Sequence, residues 1–188
     1  MHAAHRSPHL LLIGLRGSGK STVAAHAARI LGCTHADLDD RTAALLGCRA
    51  AGEAFRTHGE AAFRKAEREA LATALSDTAR VIALGGGTPT APGARDLIDA
   101  ARRVGDAVVV FLDPPIDAMA ARLSADAGDR PSLTGRGVVA EIEEVAAARR
   151  PLYMQLADFV VAGDASTRDA AQIAAEIAAF VDRRGHRV

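Results

Sequence analysis

The 188-residue chain contains little lysine, few aromatic side chains and no excess of charge of either sign. Lysine occurs only as Lys20 and Lys65, whereas arginine occurs 21 times. The 23 basic and 23 acidic side chains balance. This balance argues against a general nucleic-acid binder, because such a protein needs a basic surplus to displace counterions. A site for phosphate or carboxylate groups must therefore be local.

Two further absences bear on the cellular setting of the protein. No apolar run approaches the roughly 18 residues of a membrane span, and residues 1–8 lack the hydrophobic segment of a signal peptide. Cys33 and Cys48 are too far apart for a C-x-x-C redox or zinc motif, and two isolated thiols suit a reducing cytosol. We therefore expect a cytoplasmic protein with no membrane partner.

Short apolar runs alternate with longer, alanine-rich segments along the whole chain. The runs have the length and composition of buried parallel strands, and lie at 9–13, 34–38, 80–84, 107–112 and 158–161. Helical patterns lie at 20–31, 59–76, 115–124, 138–154 and 167–182. This alternation predicts one three-layer α/β domain over residues 1–188, with ligands at the carboxyl ends of its strands.

The clearest motif follows the first predicted strand. Residues 14–22 read Gly-Leu-Arg-Gly-Ser-Gly-Lys-Ser-Thr and fit the phosphate-binding pattern G-x-x-x-x-G-K-[ST] between a strand and a helix. Backbone N–H groups of such a loop cradle phosphate oxygens, Lys20 would reach the β- and γ-phosphates, and the Ser21 hydroxyl would ligate Mg²⁺. The predicted ATP-binding residues are Gly17, Ser18, Gly19, Lys20, Ser21 and Thr22.

Polar residues also follow the second and third predicted strands. Strand alternation would place the carboxylates of Asp37 and Asp39 on one side of the chain, facing a metal and a substrate hydroxyl. The alternative is that Asp39 or Asp40 caps a helix. Three successive glycines, Gly85, Gly86 and Gly87, would let a ligand approach the main chain closely.

Arginines in three other segments are further candidates. Arg64 shares a helix face with acidic side chains, which alone would indicate only exposed ion pairs. Arg149 lies in the last turn of a predicted helix, and Pro151 marks the end of that helix. The segment 125–137 is long, rich in glycine and polar, and contains Arg130. We interpret it as a mobile lid that closes over a triphosphate.

In combination, these motifs resemble the shikimate kinase family over about residues 10–161. The matching patterns are Gly14…Lys20-Ser21, Asp37-x-Asp39, Gly59-Glu60-x-x-Phe63-Arg64-x-x-Glu67, Gly85-Gly86-Gly87, Arg130-Pro131 and Arg149-x-Pro151-Leu152-Tyr153. The resemblance implies phosphorylation of the 3-hydroxyl of shikimate with ATP and Mg²⁺. It also implies a P-loop kinase fold with a five-stranded parallel sheet, a substrate-binding insertion at about 38–64 and a lid at about 125–137. We expect a monomer.

The resemblance also implies a role for each candidate residue. Asp39 would orient or deprotonate the attacking hydroxyl, and Asp37 would position Mg²⁺ through water. Arg64, fixed by Glu67, and Arg149 would clamp the substrate carboxylate. Three further groups complete the implied site: backbone N–H groups of Gly85, Gly86 and Gly87 near substrate and γ-phosphate, Arg130 closing onto ATP, and Arg122 or Arg168 at the adenine.

Two other functions remain open from the sequence alone. One is a different small-molecule P-loop kinase, such as a gluconate or nucleoside monophosphate kinase. The other is a non-catalytic domain that senses a ligand, against which the intact Lys20, Asp39 and Arg130 argue. Because the phosphate loop needs a compact point charge, we expect Lys20 to resist replacement by arginine, whereas Lys65 should be replaceable.

Overall fold

The computed structural model describes residues 8–78, 80–125, 138–163 and 168–184. Five strands form one sheet: β1 (His9–Ile13), β2 (His35–Asp37), β3 (Val81–Ala83), β4 (Ala107–Asp113) and β5 (Phe159–Ala162). Their order across the sheet is β2-β3-β1-β4-β5, and every neighbouring pair is parallel. The predicted α/β fold with a five-stranded parallel sheet is thereby confirmed.

Both faces of the sheet are covered by helices. The helices are α1 (Lys20–Leu31), α2 (Leu38–Leu45), α3 (Ala51–Ala74), α4 (Ala94–Arg103), α5 (Ile116–Ala125), α6 (Val138–Leu156) and α7 (Ala170–Arg183). Leu10 and Leu12 of the central β1 pack with α1 and α7, whereas Leu11 and Ile13 pack with α3, α4, α5 and α6. Because successive side chains of a strand point to opposite faces, a strand buried on both faces reads as an unbroken apolar run.

Three helical features differ from the sequence prediction. Helix α4 was not predicted, because its charged residues leave only Ala94 and Ile98 as buried positions. Pro151 lies inside α6 and does not end it, since the helix continues to the buried Leu156. Helix α3 extends beyond the helix predicted at 59–76, because it consists of two helical segments joined at a kink, and the kink residue Gly59, with φ 76°, lies at the predicted start.

The segment between β2 and the second half of α3 forms a small layer of its own beside the sheet. Helix α2 packs against α3, and their contact has its own apolar cluster of Ala51, Ala54 and Phe63, with Leu46, Cys48 and Phe55 around it. The segment predicted as an insertion is therefore mostly helical. Among the helices that the structure describes, none is long and apolar enough to cross a membrane.

Candidate active site

The phosphate-binding loop connects β1 to α1 at the carboxyl end of the sheet. Gly19 immediately precedes α1 with φ 91°, a left-handed conformation that favours glycine. A Cβ at Gly14 would lie 2.6 Å from the carbonyl oxygen of Leu112, so this residue must also be small. Lys20 Nζ donates to the carbonyl oxygens of Gly14 at 3.0 Å and Leu15 at 2.8 Å. The loop therefore combines glycines in positions that other residues would not fit with a lysine held against its main chain.

The two predicted metal ligands are in contact. The Ser21 hydroxyl donates to Oδ2 of Asp37, while Asp37 Oδ1 accepts from the backbone N–H of Asp39 at 2.9 Å. A hydroxyl and a carboxylate are hard oxygen donors, and Mg²⁺ prefers a few such ligands together with water and phosphate oxygens. The residues present therefore fit Mg²⁺. No cluster of three or more His, Cys, Asp or Glu side chains suited to a metal occurs within the described ranges.

The prediction that strand alternation places Asp37 and Asp39 on one side of the chain was wrong. Asp37 ends β2 and is itself the N-cap of α2, so neither Asp39 nor Asp40 is the cap. Asp39 lies in the first turn of α2, so strand alternation does not relate the two carboxylates. Both side chains nevertheless line the polar cleft beside the phosphate-binding loop. The helix start, rather than a strand end, brings them there.

A second cavity adjoins this polar cleft. Its lining consists of Arg16, Asp39, Ala51, Gly52, Phe55, Phe63, Arg64, Glu67, Gly86, Gly87 and Arg149. Three arginines face two carboxylates, and two phenylalanines supply an apolar wall. Arg16, Asp39 and Gly86 line both cavities, so the two spaces meet at these residues. Such a junction is where a group could pass from a nucleotide to a second substrate.

Arg64 enters the second cavity from α3 and is held by acidic partners. Its Nη1 donates to Glu67 Oε2 at 2.6 Å, and its Nη2 lies 3.4 Å from Glu60 Oε1. Glu67 is 1% exposed, and its other oxygen accepts from the Thr88 hydroxyl at 2.9 Å. Burial raises the pKa of Glu67, although Arg64 and Thr88 act in the opposite direction. The helix face is therefore a buried support for Arg64, and more than a row of exposed ion pairs.

Arg149 enters the same cavity from α6. Its Nη1 donates to the carbonyl oxygen of Gly86 at 2.9 Å, and the Tyr153 hydroxyl donates to that same oxygen at 2.5 Å. Tyr153 is fully buried and packs edge to face against Phe111 with 5.4 Å between ring centroids. Burial raises the pKa of Tyr153 to about 12. One turn of α6 thus supplies both Arg149, which lines the cavity, and Tyr153, which holds the carbonyl group of Gly86 in place.

The three successive glycines make room for side chains of the site. A Cβ at Gly85 would collide with Asp39 Oδ1, and one at Gly87 would lie 2.8 Å from Cζ of Arg64. A Cβ at Gly86 would lie 3.1 Å from the backbone nitrogen of Arg16. None of the three has a positive φ. Their requirement for glycine therefore comes from space and not from backbone conformation.

Sequence reasoning assigned no role to three residues that the structure brings to the site. Arg16 occupies a variable position inside the phosphate-loop motif, where nothing distinguishes it. Thr88 directly follows the three glycines, and Tyr153 lies four residues after Arg149, which is one helical turn. The position of Tyr153 relative to Arg149 was therefore a usable signal, whereas the contact between Thr88 and Glu67 joins residues 21 positions apart.

Three arginines were predicted to contact the nucleotide, and the structure describes two of them, Arg122 and Arg168. Arg122 Nη1 donates to the carbonyl oxygen of Gly17 at 3.0 Å. Arg168 Nη2 donates to Ala162 at 2.7 Å, and both arginines line a small cavity beside the phosphate-binding loop. Arg130, with the predicted lid from residue 126 to residue 137, lies outside the described residues.

A parallel sheet with a phosphate-binding loop and two joined cavities defines a P-loop kinase that acts on a small molecule. The family model for shikimate kinase matches residues 16–182. The chain is 41% identical over 158 residues to a shikimate kinase of Nitratidesulfovibrio vulgaris, covering 83% of this chain and 87% of that protein. It is 37% identical over 172 residues to one of Rhodopirellula baltica, covering 90% and 88%.

Solved structures agree with these sequence matches. A shikimate kinase from Acinetobacter baumannii in complex with shikimate has a TM-score of 0.84 and 27% identity, with 97% of each chain covered. The enzyme from Aquifex aeolicus has a TM-score of 0.72 and 26% identity, with 94% of this chain and 98% of that chain covered. The chain therefore belongs to the shikimate kinase family, and the predicted family, fold and kinase class are confirmed.

Proposed function

We propose that this kinase transfers the γ-phosphoryl group of ATP to the 3-hydroxyl of shikimate, forming shikimate 3-phosphate and ADP. The observation that carries the proposal is the junction of the two cavities at Arg16, Asp39 and Gly86. One cavity has the phosphate-binding loop, and the other has converging arginines and an apolar wall. A triphosphate and a small carboxylic acid would therefore meet end to end.

The phosphate-binding loop would hold ATP. Gly17, Ser18, Gly19, Lys20, Ser21 and Thr22 form this loop and the first turn of α1. The Lys20 ammonium lies beside two loop carbonyls, and with ATP bound it would neutralise charge on the transferred group. Ser21 and Asp37 would hold Mg²⁺, which supplies charge neutralisation at the phosphates when it is bound. Phosphoryl transfer depends mainly on such positioning and neutralisation.

The substrate carboxylate would bind between Arg64 and Arg149. A planar guanidinium presents a fork of N–H donors that matches the two oxygens of a carboxylate. The two side chains come from different helices, α3 and α6, so together they fix position as well as charge. Arg16, the third arginine that lines the cavity, would add a further positive charge near a bound acid.

Asp39 would act on the attacking hydroxyl at the junction of the cavities. Its carboxylate lies against Gly85 and lines both spaces, so it can accept a hydrogen bond from a hydroxyl directed at the γ-phosphate. In that position it orients the nucleophile and accepts its proton as the bond to phosphorus forms. The N–H groups of Gly85, Gly86 and Gly87 would contact substrate and γ-phosphate.

The roles proposed for Arg130, Arg122 and Arg168 are based on the sequence pattern, and for the last two also on their position beside the phosphate-binding loop. Arg130 would close over ATP from the lid at about 125–137, and Arg122 and Arg168 would contact the adenine. The small cavity that Arg122 and Arg168 share supports this assignment. We further propose that residues 1–188 act as one domain with its substrate-binding insertion at about 38–64, as a cytoplasmic monomer.

The first prediction tests the reaction through ADP release. Wild-type protein with ATP, Mg²⁺ and shikimate should release ADP rapidly, and Asp39→Asn should lower kcat by about 100-fold or more, because it removes the proton acceptor. Asp96→Asn is the matched control, since Asp96 is an exposed aspartate of α4 that lines neither cavity. This control should retain wild-type turnover.

The same assay separates the alternative kinases. Gluconate and nucleoside monophosphates should give no ADP release above the background hydrolysis of ATP. Release with either of them, without release with shikimate, would reject the proposed substrate. Binding of shikimate without any turnover would instead favour a ligand-sensing domain. Wild-type kcat in Asp39→Asn would reject the role assigned to that carboxylate while leaving the reaction intact.

A further inference from the structure

Thr88 is a buried hydroxyl next to the site that lines neither of the two joined cavities. It begins the 3₁₀ turn Thr88–Thr90 directly after the three glycines, and it is 0% exposed. Its Oγ1 donates to Glu67 Oε1 at 2.9 Å. A buried hydroxyl is costly unless it is hydrogen-bonded, so this contact fixes its orientation. The acceptor is a side chain already connected to the substrate cavity.

Glu67 connects the Thr88 hydroxyl to Arg64. One carboxylate oxygen accepts from Thr88, and the other accepts from Arg64 Nη1 at 2.6 Å. Donors on both oxygens fix the rotation of the carboxylate about its terminal bond. An arginine on a long, flexible stem needs such a fixed partner to present its fork in one orientation. Thr88 therefore influences the cavity-lining guanidinium of Arg64 through Glu67, without contacting it directly.

We propose that Thr88 is a positioning residue for the substrate, because its hydroxyl holds the Glu67 carboxylate in the orientation that directs Arg64 at the carboxylate of shikimate. This inference rests on the proposed function, since it takes Arg64 as a substrate ligand. It assigns the first residue after the glycines a role that the sequence pattern did not suggest. Thr88 does not line the substrate cavity and is not a catalytic residue.

The charges around Glu67 give the proposal a pH signature. Burial raises the pKa of Glu67, and the nearby carboxylate of Asp39 acts in the same direction. Arg64 and the Thr88 hydroxyl lower it, and the Tyr153 hydroxyl is a further titratable group that Glu67 influences. Loss of the Thr88 hydroxyl should raise the Glu67 pKa further. The carboxyl group would then protonate at a higher pH and release Arg64.

The test compares Thr88→Val, which replaces the hydroxyl by a methyl group, with Thr88→Ser, which retains it. The KM values for shikimate and ATP are measured from alkaline pH down to the range where shikimate itself begins to titrate. Thr34→Val is the matched control, because the Thr34 hydroxyl donates to the carbonyl oxygen of Thr78 at 3.5 Å and the residue lies just before β2, where it lines neither cavity. Unfolding curves confirm that each variant is folded under assay conditions.

We expect Thr88→Val to raise the KM for shikimate about tenfold at neutral pH, the equivalent of one hydrogen bond to a charged group. The rise should grow as the pH falls, the KM for ATP should stay unchanged, and Thr88→Ser and Thr34→Val should resemble wild type. In a Glu67→Gln background, Thr88→Val should add little, because its effect passes through the Glu67 carboxylate.

Several results would overturn the proposal. One is a KM for shikimate in Thr88→Val that equals the wild-type value across the pH range, with only a loss of stability. An equal rise in the KM for shikimate in Thr34→Val and Thr88→Val would do the same. Should Thr88→Val fail to fold, Thr88→Ser and Thr88→Ala provide a second pair that differs by a hydroxyl, judged by the same criteria. Failure of the proposed function itself would appear separately, as wild-type protein that does not turn over shikimate.

Discussion

Arg64 and Lys65 are adjacent cations in α3 with different surroundings. The Arg64 side chain is 15% exposed, lines the substrate cavity and pairs with the buried Glu67, whereas Lys65 is exposed. A helix advances by about 100° per residue, so neighbouring residues face different directions. The sequence-based expectation that Lys65 is replaceable agrees with its exposure. Their proximity makes the pair a natural test of the carboxylate site.

The second residue-scale prediction follows from this pair. Arg64→Ala should raise the KM for shikimate about 10- to 100-fold and leave the KM for ATP nearly unchanged, because it removes charge-assisted hydrogen bonds to the carboxylate. Lys65→Ala removes the same charge one position away and should match wild type in both constants. Steady-state kinetics with each substrate varied in turn measure the effect.

Equal increases in both KM values for Arg64→Ala would contradict a role confined to the carboxylate. The variant also leaves Glu67 buried without its cation, so its unfolding free energy must be measured alongside. Arg64→Lys provides a milder comparison, since it keeps the charge and loses the fork. We expect an intermediate KM for shikimate, because a lysine can offer charge but not bidentate geometry.

At the scale of an element, the third prediction concerns the three successive glycines between β3 and the 3₁₀ turn. Gly87→Ala would place a Cβ 2.8 Å from the central carbon of the Arg64 guanidinium. Because φ at Gly87 is −109°, alanine fits the backbone there without strain. The methyl group should displace the tethered guanidinium and raise the KM for shikimate about tenfold or more, while the unfolding free energy changes little.

Kinetics and chemical denaturation of Gly87→Ala together check this expectation. A large loss of stability with an unchanged KM for shikimate would show that the methyl group disturbs the backbone and leaves Arg64 in place. Gly32→Ala offers a contrast, since a Cβ there meets nothing within 4 Å but the residue has φ 65°. That variant should lose stability through backbone strain and retain its KM values.

At the scale of elements, most helices were predicted correctly, whereas α4 and the role of Pro151 were not, and both outcomes have physical reasons. The segments of α1, α6 and α7 are long and rich in alanine and other apolar residues, and these helices were predicted. Helix α4 was missed although its charged and apolar residues separate onto two faces, because it is only 10 residues long and buries just Ala94 and Ile98. Pro151 stays inside α6 because burial of Tyr153 and Leu156 beyond it outweighs the loss of one backbone hydrogen bond.

At the scale of the whole molecule, Tyr153 connects the core to the site and is easy to observe. It is the single tyrosine in a chain without tryptophan, so ultraviolet absorbance of tyrosinate reports this residue alone. Burial raises its pKa to about 12 in the folded protein, against about 10 for an exposed tyrosine. A native-state titration should therefore have its midpoint about two pH units above that of the unfolded chain.

The same difference predicts how stability changes in alkali. The folded-state pKa is raised, so the contribution of the neutral phenol to stability is complete below about pH 10 and is lost as the pH rises through about 12. Tyr153→Phe should lack this dependence, and it should be less stable at neutral pH because the Gly86 carbonyl loses a donor. A native midpoint near 10 would mean that the hydroxyl is not buried.

The sequence by itself determined the fold class, the family and the identity of most candidate residues. Alternating apolar runs require a buried parallel sheet, and the phosphate-binding motif requires its glycines for local backbone reasons, so both can be read from short segments. The separation of Arg64 from Lys65 also follows from helix periodicity. Each of these conclusions depends on residues close together in the chain.

Only the tertiary structure decided how the site is supported. Asp39 reaches both cavities from the start of a helix, each of the three glycines makes room for a different part of the site, and Glu67 is buried between Arg64 and Thr88. These contacts join segments that are distant in sequence, and their distances depend on how the helices pack on the sheet. No local pattern specifies such packing, which is why Thr88 and Arg16 carried no sequence signal.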